Sequence, residues 1–166
     1  MKLTADFVGF EALQNKLSNM TDKALRVSLK SAALAGAAIV RNQARADAPV
    51  FEGKIPKGHA PAGTLKKSII SRGSRRYSTP NKAVAVVTFK QITKVYSNTA
   101  ANIRAGRAGK KYSSYGDVFY WVFVEKGINK TRPFLKQAFE SSKNEAAEKV
   151  KEQLTLKVEQ YWNKGG

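Results

Sequence analysis

Acid–base chemistry near neutrality would fall first to a histidine, the one side chain that titrates there unperturbed. The chain has a single histidine, His59, inside VFEGKIPKGHAPAG (50–63), a stretch with three glycines and two prolines that reads as loop. A Ser-His-Asp arrangement needs a carboxylate to orient the imidazole and a serine held in a strained turn. The nearest carboxylates in sequence are Asp47 and Glu52, and no nucleophile elbow accompanies them. A lone loop histidine of this kind reads as a surface residue. Cysteine is absent, which excludes disulfides, thiolate metal sites and a cysteine nucleophile, and fits a reducing cytoplasm. The twelve Asp and Glu are scattered, with no metal-ligand spacing. IRAGRAGKK (103–111) has the glycine-and-lysine look of a phosphate loop, but it lacks the Walker spacing, and Tyr112 stands where a serine or threonine belongs. These readings point to a non-enzyme with no cofactor and no metal.

Charge is the next feature that could act on a partner. The net charge is +18, and it is concentrated. No Asp or Glu occurs between Gly53 and Gly116, whereas that window holds fourteen lysines and arginines, among them Arg75, Arg76, Arg104, Arg107, Lys110 and Lys111. Elsewhere 16 basic residues face 12 acidic ones, close to balance. So lopsided a segment suits a partner rich in phosphates or carboxylates. Tyr96, Tyr112 and Tyr115 flank the basic loop, and aromatics among cations can stack on bases; they can equally anchor a loop to its body. No zinc finger, RNP motif or recognition helix is present. A nucleic-acid-binding module without sequence specificity therefore stands as the alternative reading.

The elements that would carry these residues follow from periodicity. At 166 residues and 42% apolar content, the chain is sized for one domain, 1–166. No apolar run nears the ~20 residues of a membrane span, and MKLTADFVGFEALQ lacks a signal-peptide core, so neither membrane nor export is expected. Phe10, Leu13 and Leu17 predict a short helix. Thr21 or Asp22 starts a longer one, with the stripe Leu25, Leu29, Ala32, Gly36, Val40, Ala44, and Pro49 ends it. Its small residues let a sheet or a second helix approach closely. Strands are expected at Thr64–Ser71, Ala83–Phe89, Ile92–Tyr96 and Val118–Glu125. A flexible basic loop spans about 97–116. Pro133 suits the first turn of a last helix, about Arg132 to Trp162, roughly 45 Å long and so able to project beyond a small body. The order implies an α+β fold: a small, mainly antiparallel sheet of three or four strands against a long N-terminal and a long C-terminal helix.

Val118–Val124 is apolar on both strand faces, with Phe119, Trp121 and Phe123 on one and Tyr120, Val122 and Val124 on the other. Both faces need cover. Either the two helices supply it, or an aromatic patch is left for a protein partner.

Several blocks resemble the tail-completion, or neck, proteins of long-tailed bacteriophages. YWVFVEKG (120–127) followed by RPFLKQAF (132–139) is similar to that family's signature; GFEALQNKL (9–17), KALRVSLKSAALAGAAIVRNQARADAPV (23–50) and AGTLKKSI (62–69) follow its other blocks in order. The chain departs by inserting FEGKIPKGHAPA (51–62) and by carrying Ile128 where the family has threonine. The resemblance implies a structural virion protein, assembled in the bacterial host cytoplasm. It would complete the head-proximal end of the tail and help join it to the DNA-filled head. It implies a ring of copies, hexameric by the family pattern, with the tail terminator and head-completion or connector proteins as neighbours. Non-specific DNA would pass nearby in the channel. It also suggests interface positions at Phe119, Tyr120, Trp121, Phe123, Glu125, Gly127, Arg132 and Phe134, with Glu125 pairing Arg132 and Phe134 anchoring the last helix. Arg75, Arg76, Arg104, Arg107, Lys110 and Lys111 would dock on protein or lie near DNA.

Overall fold

The structure is a computed structural model that describes residues 11–50, 61–118, 121, 125–126 and 133–164. Its elements run α1 (Glu11–Ser18), α2 (Asp22–Asp47), α3 (Thr64–Ser68), β1 (Ile69–Gly73), β2 (Ala85–Phe89), β3 (Ile92–Val95), α4 (Ala100–Arg104), β4 (Lys111–Ser114), a 3₁₀ turn (Gly116–Val118) and α5 (Phe134–Trp162). The class is α+β, with two long helices and four antiparallel strands among the described residues. The strands form two separate pairs, β1–β2 and β3–β4, in place of one sheet.

The frame is the α2–α5 pair. The buried positions of α2 are Ser28, Ala32, Gly36, Ala37, Val40 and Ala44, and those of α5 are Phe134, Ala138, Ser142, Ala146, Leu154 and Val158. Both stripes advance mainly in steps of four, the side-chain row whose interdigitation forms the commonest class of helix crossing. Four residues overshoot a turn of 3.6, so such a stripe winds around its helix by about 40° per step. Small residues along both rows let the backbones approach. The helices run antiparallel: Ala44 and Ala48 share a core with Phe134 and Ala138, while Met20 and Ala32 share one with Leu154 and Val158. Gln153 Nε2 donates to Ser31 Oγ across the pair at 3.2 Å. The far end of α5 does not project. Val158 is fully buried, and Leu13 and Leu17 of α1 pack against the same core cluster as Tyr161, so α1 helps to cover it.

The β1–β2 hairpin lies along α2. Its register pairs Ile69 with Phe89, Ser71 with Val87 and Gly73 with Ala85, and Ile69, Phe89 and Ala85 are buried. Arg45 pins the hairpin to α2 by donating from Nε and Nη2 to the Ile69 carbonyl, at 3.0 and 2.7 Å.

Three expectations are corrected. Thr64–Ser68 is a helical turn, and β1 begins only at Ile69. Strand alternation would put Leu65 and Lys67 on one face, whereas the turn buries Leu65 and leaves Lys66 and Lys67 in water. The segment 97–116 contains α4 and β4. Of the expected strand Val118–Glu125, Val118 closes the 3₁₀ turn, and Trp121 and Glu125 are helical. Both line one groove with Phe89, Leu135 and Lys136. The remaining aromatics of that stretch lie outside the described residues, as do His59 and the loop 51–60.

Candidate partner-docking surface

Two groups of sequence-named residues come together. The first is a knot where α5 begins. Phe134 is 2% exposed and anchors the helix in the core, edge-on to Phe89 at 6.4 Å. Trp121 stacks on Phe89 at 4.6 Å and meets Tyr115 edge-on at 5.6 Å. Its indole Nε1 is buried with no acceptor among the described residues.

Glu125 serves the start of α5 directly. The first N–H groups of a helix lack intrahelical acceptors, and Pro133 at the N-cap has no side-chain oxygen to offer. The Leu135 N–H donates to Glu125 Oε2 at 2.9 Å and the Lys136 N–H to Oε1 at 3.0 Å. A carboxylate ten residues upstream thus caps the helix with both oxygens, where the helix dipole favours negative charge. The partner expected for Glu125, Arg132, lies outside the described residues, together with Phe119, Tyr120, Phe123 and Gly127.

The second group forms an arm, residues 92–114. β3 and β4 pair from Ile92↔Ser114 to Val95↔Lys111, and the Tyr96 N–H to Lys110 carbonyl bond, 3.0 Å, extends the ladder. Thr99 caps α4, its Oγ1 accepting from the Asn102 N–H at 3.3 Å. Asn102 is the hub of the tip. Its Nδ2 donates to the Ser97 carbonyl at 2.8 Å, its Oδ1 accepts from Arg107 Nε at 3.0 Å, and its own carbonyl accepts from the N–H groups of Arg107 and Ala108. Gly106 and Gly109 supply the positive φ angles, 61° and 75°, that close the tip. Tyr96 stacks on Tyr112 at 4.3 Å, and the Arg107 guanidinium lies 5.2 Å from the Tyr96 ring.

The arm therefore holds its shape by its own contacts. Arg104, Arg107, Lys110 and Lys111 are exposed on it, as are Ile103 (61%) and Val95 (55%). Sequence reading missed this construction because a polar hub and turn glycines leave no apolar period. Thr99-x-x-Asn102 was the available cue.

Arg75 and Arg76 lie elsewhere, on the β1–β2 connection. Arg76 sits 5.6 Å from the Tyr77 ring. Arg75 lines a groove of about 410 Å³ with Arg26, Lys30 and Lys82, and no carboxylate among the described residues lines it. Arg26 and Lys30 are four apart on α2, a pairing legible in the sequence but not connected there with Arg75.

Among the described residues no acid or histidine cluster could hold a metal, and no helix is long and apolar enough to cross a membrane. Fold and surface together define an α+β protein with a helix-pair frame and a preformed basic arm. The chain belongs to the HK97-gp10-like family: the family model described as "Bacteriophage HK97-gp10, putative tail-component" matches residues 11–127. It is thus a bacteriophage tail component, a structural protein of the virion. The matched region includes the YWVFVEKG block and the whole arm, and stops before α5. No curated protein matches the chain, and no solved structure does.

Proposed function

We propose that this tail component acts at the neck: it completes the head-proximal end of the tail and joins it to the filled head, as a ring of copies bonded head-to-tail. It works through contacts, without making or breaking covalent bonds. The observation that carries this reading is the braced basic arm on a chain of the tail-component family. A surface segment that holds its own shape loses little freedom on docking, so its contacts convert more fully into affinity. A ring closed by rotation needs two different patches per subunit, and the arm is a candidate for one of them.

The arm's aromatics favour protein over nucleic acid. Tyr96 meets Tyr112 and Arg107, so its faces are engaged within the arm and poorly placed to stack on bases. A gel shift at two salt concentrations separates the readings. Attraction by charge alone fades steeply with salt, whereas a dedicated binder keeps measurable affinity near physiological salt.

The direct test is electron microscopy of a phage lysate lacking this protein. Filled heads and separate tails of normal length are expected. Absent or wrong-length tails would assign a tube or terminator role instead, and normal infectious particles would overturn the proposal.

A further inference from the structure

The chain carries 30 cations, yet a row of its carboxylates faces water largely unpaired. Glu145, Glu148, Glu152 and Glu159 follow one another on α5 at intervals of three, four and seven residues. At 100° per residue they fall within about 60° of arc and run for about 21 Å. All four are exposed, and this sector lies away from Leu154 and Val158, which face the core. Glu152 pairs with Lys149 at 2.8 Å; the other three have no ion pair among the described residues. Glu148, Glu152, Thr155, Leu156 and Glu159 line a shallow groove of about 400 Å³, which Lys151 also borders. Leu156 is 41% exposed within it.

The arm has the opposite character. From Lys90 to Gly116 there is no carboxylate, and Lys94, Arg104, Lys110 and Lys111 are exposed with no ion pair among the described residues. Ile103 supplies an apolar point at 61% exposure, beside Arg104 on α4. The two surfaces are complementary: a row of acids around one exposed leucine, and a set of cations around one exposed isoleucine.

We propose that the arm of one copy docks in the α5 groove of a second copy, with Ile103 against Leu156, and with Arg104 and Lys110 facing Glu148 and Glu152. The contact is heterologous, one patch against a different patch, so it propagates around a ring. It supplies the bond between copies that the proposed neck ring needs and to that extent rests on that reading. Local charge also explains how a +18 chain can associate with itself. At about 0.15 M salt the Debye length is about 8 Å, so adjacent charges attract while the net repulsion is largely screened.

The absence of cysteine makes the test clean. Full-length Ile103→Cys and Leu156→Cys chains are purified separately, mixed at about 0.15 M salt at up to millimolar concentration, and oxidised. A 103–156 heterodimer is expected to dominate over either homodimer. Charge reversal by Arg104→Glu with Lys110→Glu should cut its yield at least about tenfold, and Glu148→Lys with Glu152→Lys on the other chain should restore it. Circular dichroism checks that the reversed chains are folded. No heterodimer, homodimers alone, or a heterodimer indifferent to charge reversal would overturn the proposal. So would loss of DNA retention on charge reversal with cross-linking unchanged. The lysate experiment remains independent. If it leaves heads and tails apart while the cross-link fails, the neck reading stands and the arm–groove contact falls.

Discussion

Replacing Glu125 tests whether a distant carboxylate caps α5. Glu125→Ala removes both acceptors from the N–H groups of Leu135 and Lys136, which sit 2.9 and 3.0 Å from its oxygens. A hydrogen bond to a charged group is worth about 1.5–3 kcal/mol, and loss of an ordinary cap costs about 0.5–2 kcal/mol. Glu125 is half-buried, so water partly replaces it, which brings the expected loss to about 2–3 kcal/mol. Glu125→Gln keeps one acceptor oxygen but loses the charge at the helix N-terminus, for about 1 kcal/mol. In a protein of this size each kcal/mol moves Tm by about 2–4 °C, so the alanine variant should melt about 4–12 °C lower. Urea denaturation followed by helical circular dichroism gives the midpoint, and an unchanged m-value shows that stability alone has moved. Exposed Lys126→Ala is the control and should stay within about 0.5 kcal/mol of wild type. If Glu125→Ala also stays within about 0.5 kcal/mol, the capping argument is wrong. If the glutamine variant costs as much as the alanine, charge rather than acceptor geometry carries the effect.

Ala146 is fully buried on α5 where small residues face α2, so Ala146→Leu should cost about 1–3 kcal/mol by overpacking, read from the urea midpoint. Arg107→Ala removes the donor to Asn102 Oδ1 and the cation over Tyr96, both within the arm. Amide exchange should therefore speed up across residues 96–112 while the global midpoint moves by less than about 0.5 kcal/mol. Lys143 donates to Glu140 at 2.9 Å and holds that carboxyl below its ordinary range, chiefly through the hydrogen bond. A depressed folded-state value means that the pair's small contribution is present above the unfolded pKa and is lost as pH falls through the folded one. Lys143→Ala should raise the Glu140 titration midpoint seen by NMR.

Local sequence sufficed where local forces decide structure. Leu25, Leu29, Ala32, Gly36 and Val40 disclosed α2, Pro49 its end, and Pro133 the start of α5, because periodic burial and proline geometry are encoded within one segment. The β-branched run before Phe89 disclosed β2 for the same reason. The concentration of cations between Lys54 and Lys111 and the ordered blocks of the tail-component family were legible as well. Tertiary structure alone decided that α2 and α5 lie antiparallel, since pairing of their period-four rows depends on which helix reaches which. It decided that Trp121 and Glu125 are helical, because Phe89 and the bare N–H groups of α5, both distant in sequence, draw them to one groove. It also decided that the basic segment is a braced arm: stacking of Tyr96 on Tyr112 joins residues sixteen apart, and no periodicity within either strand reports a contact between them.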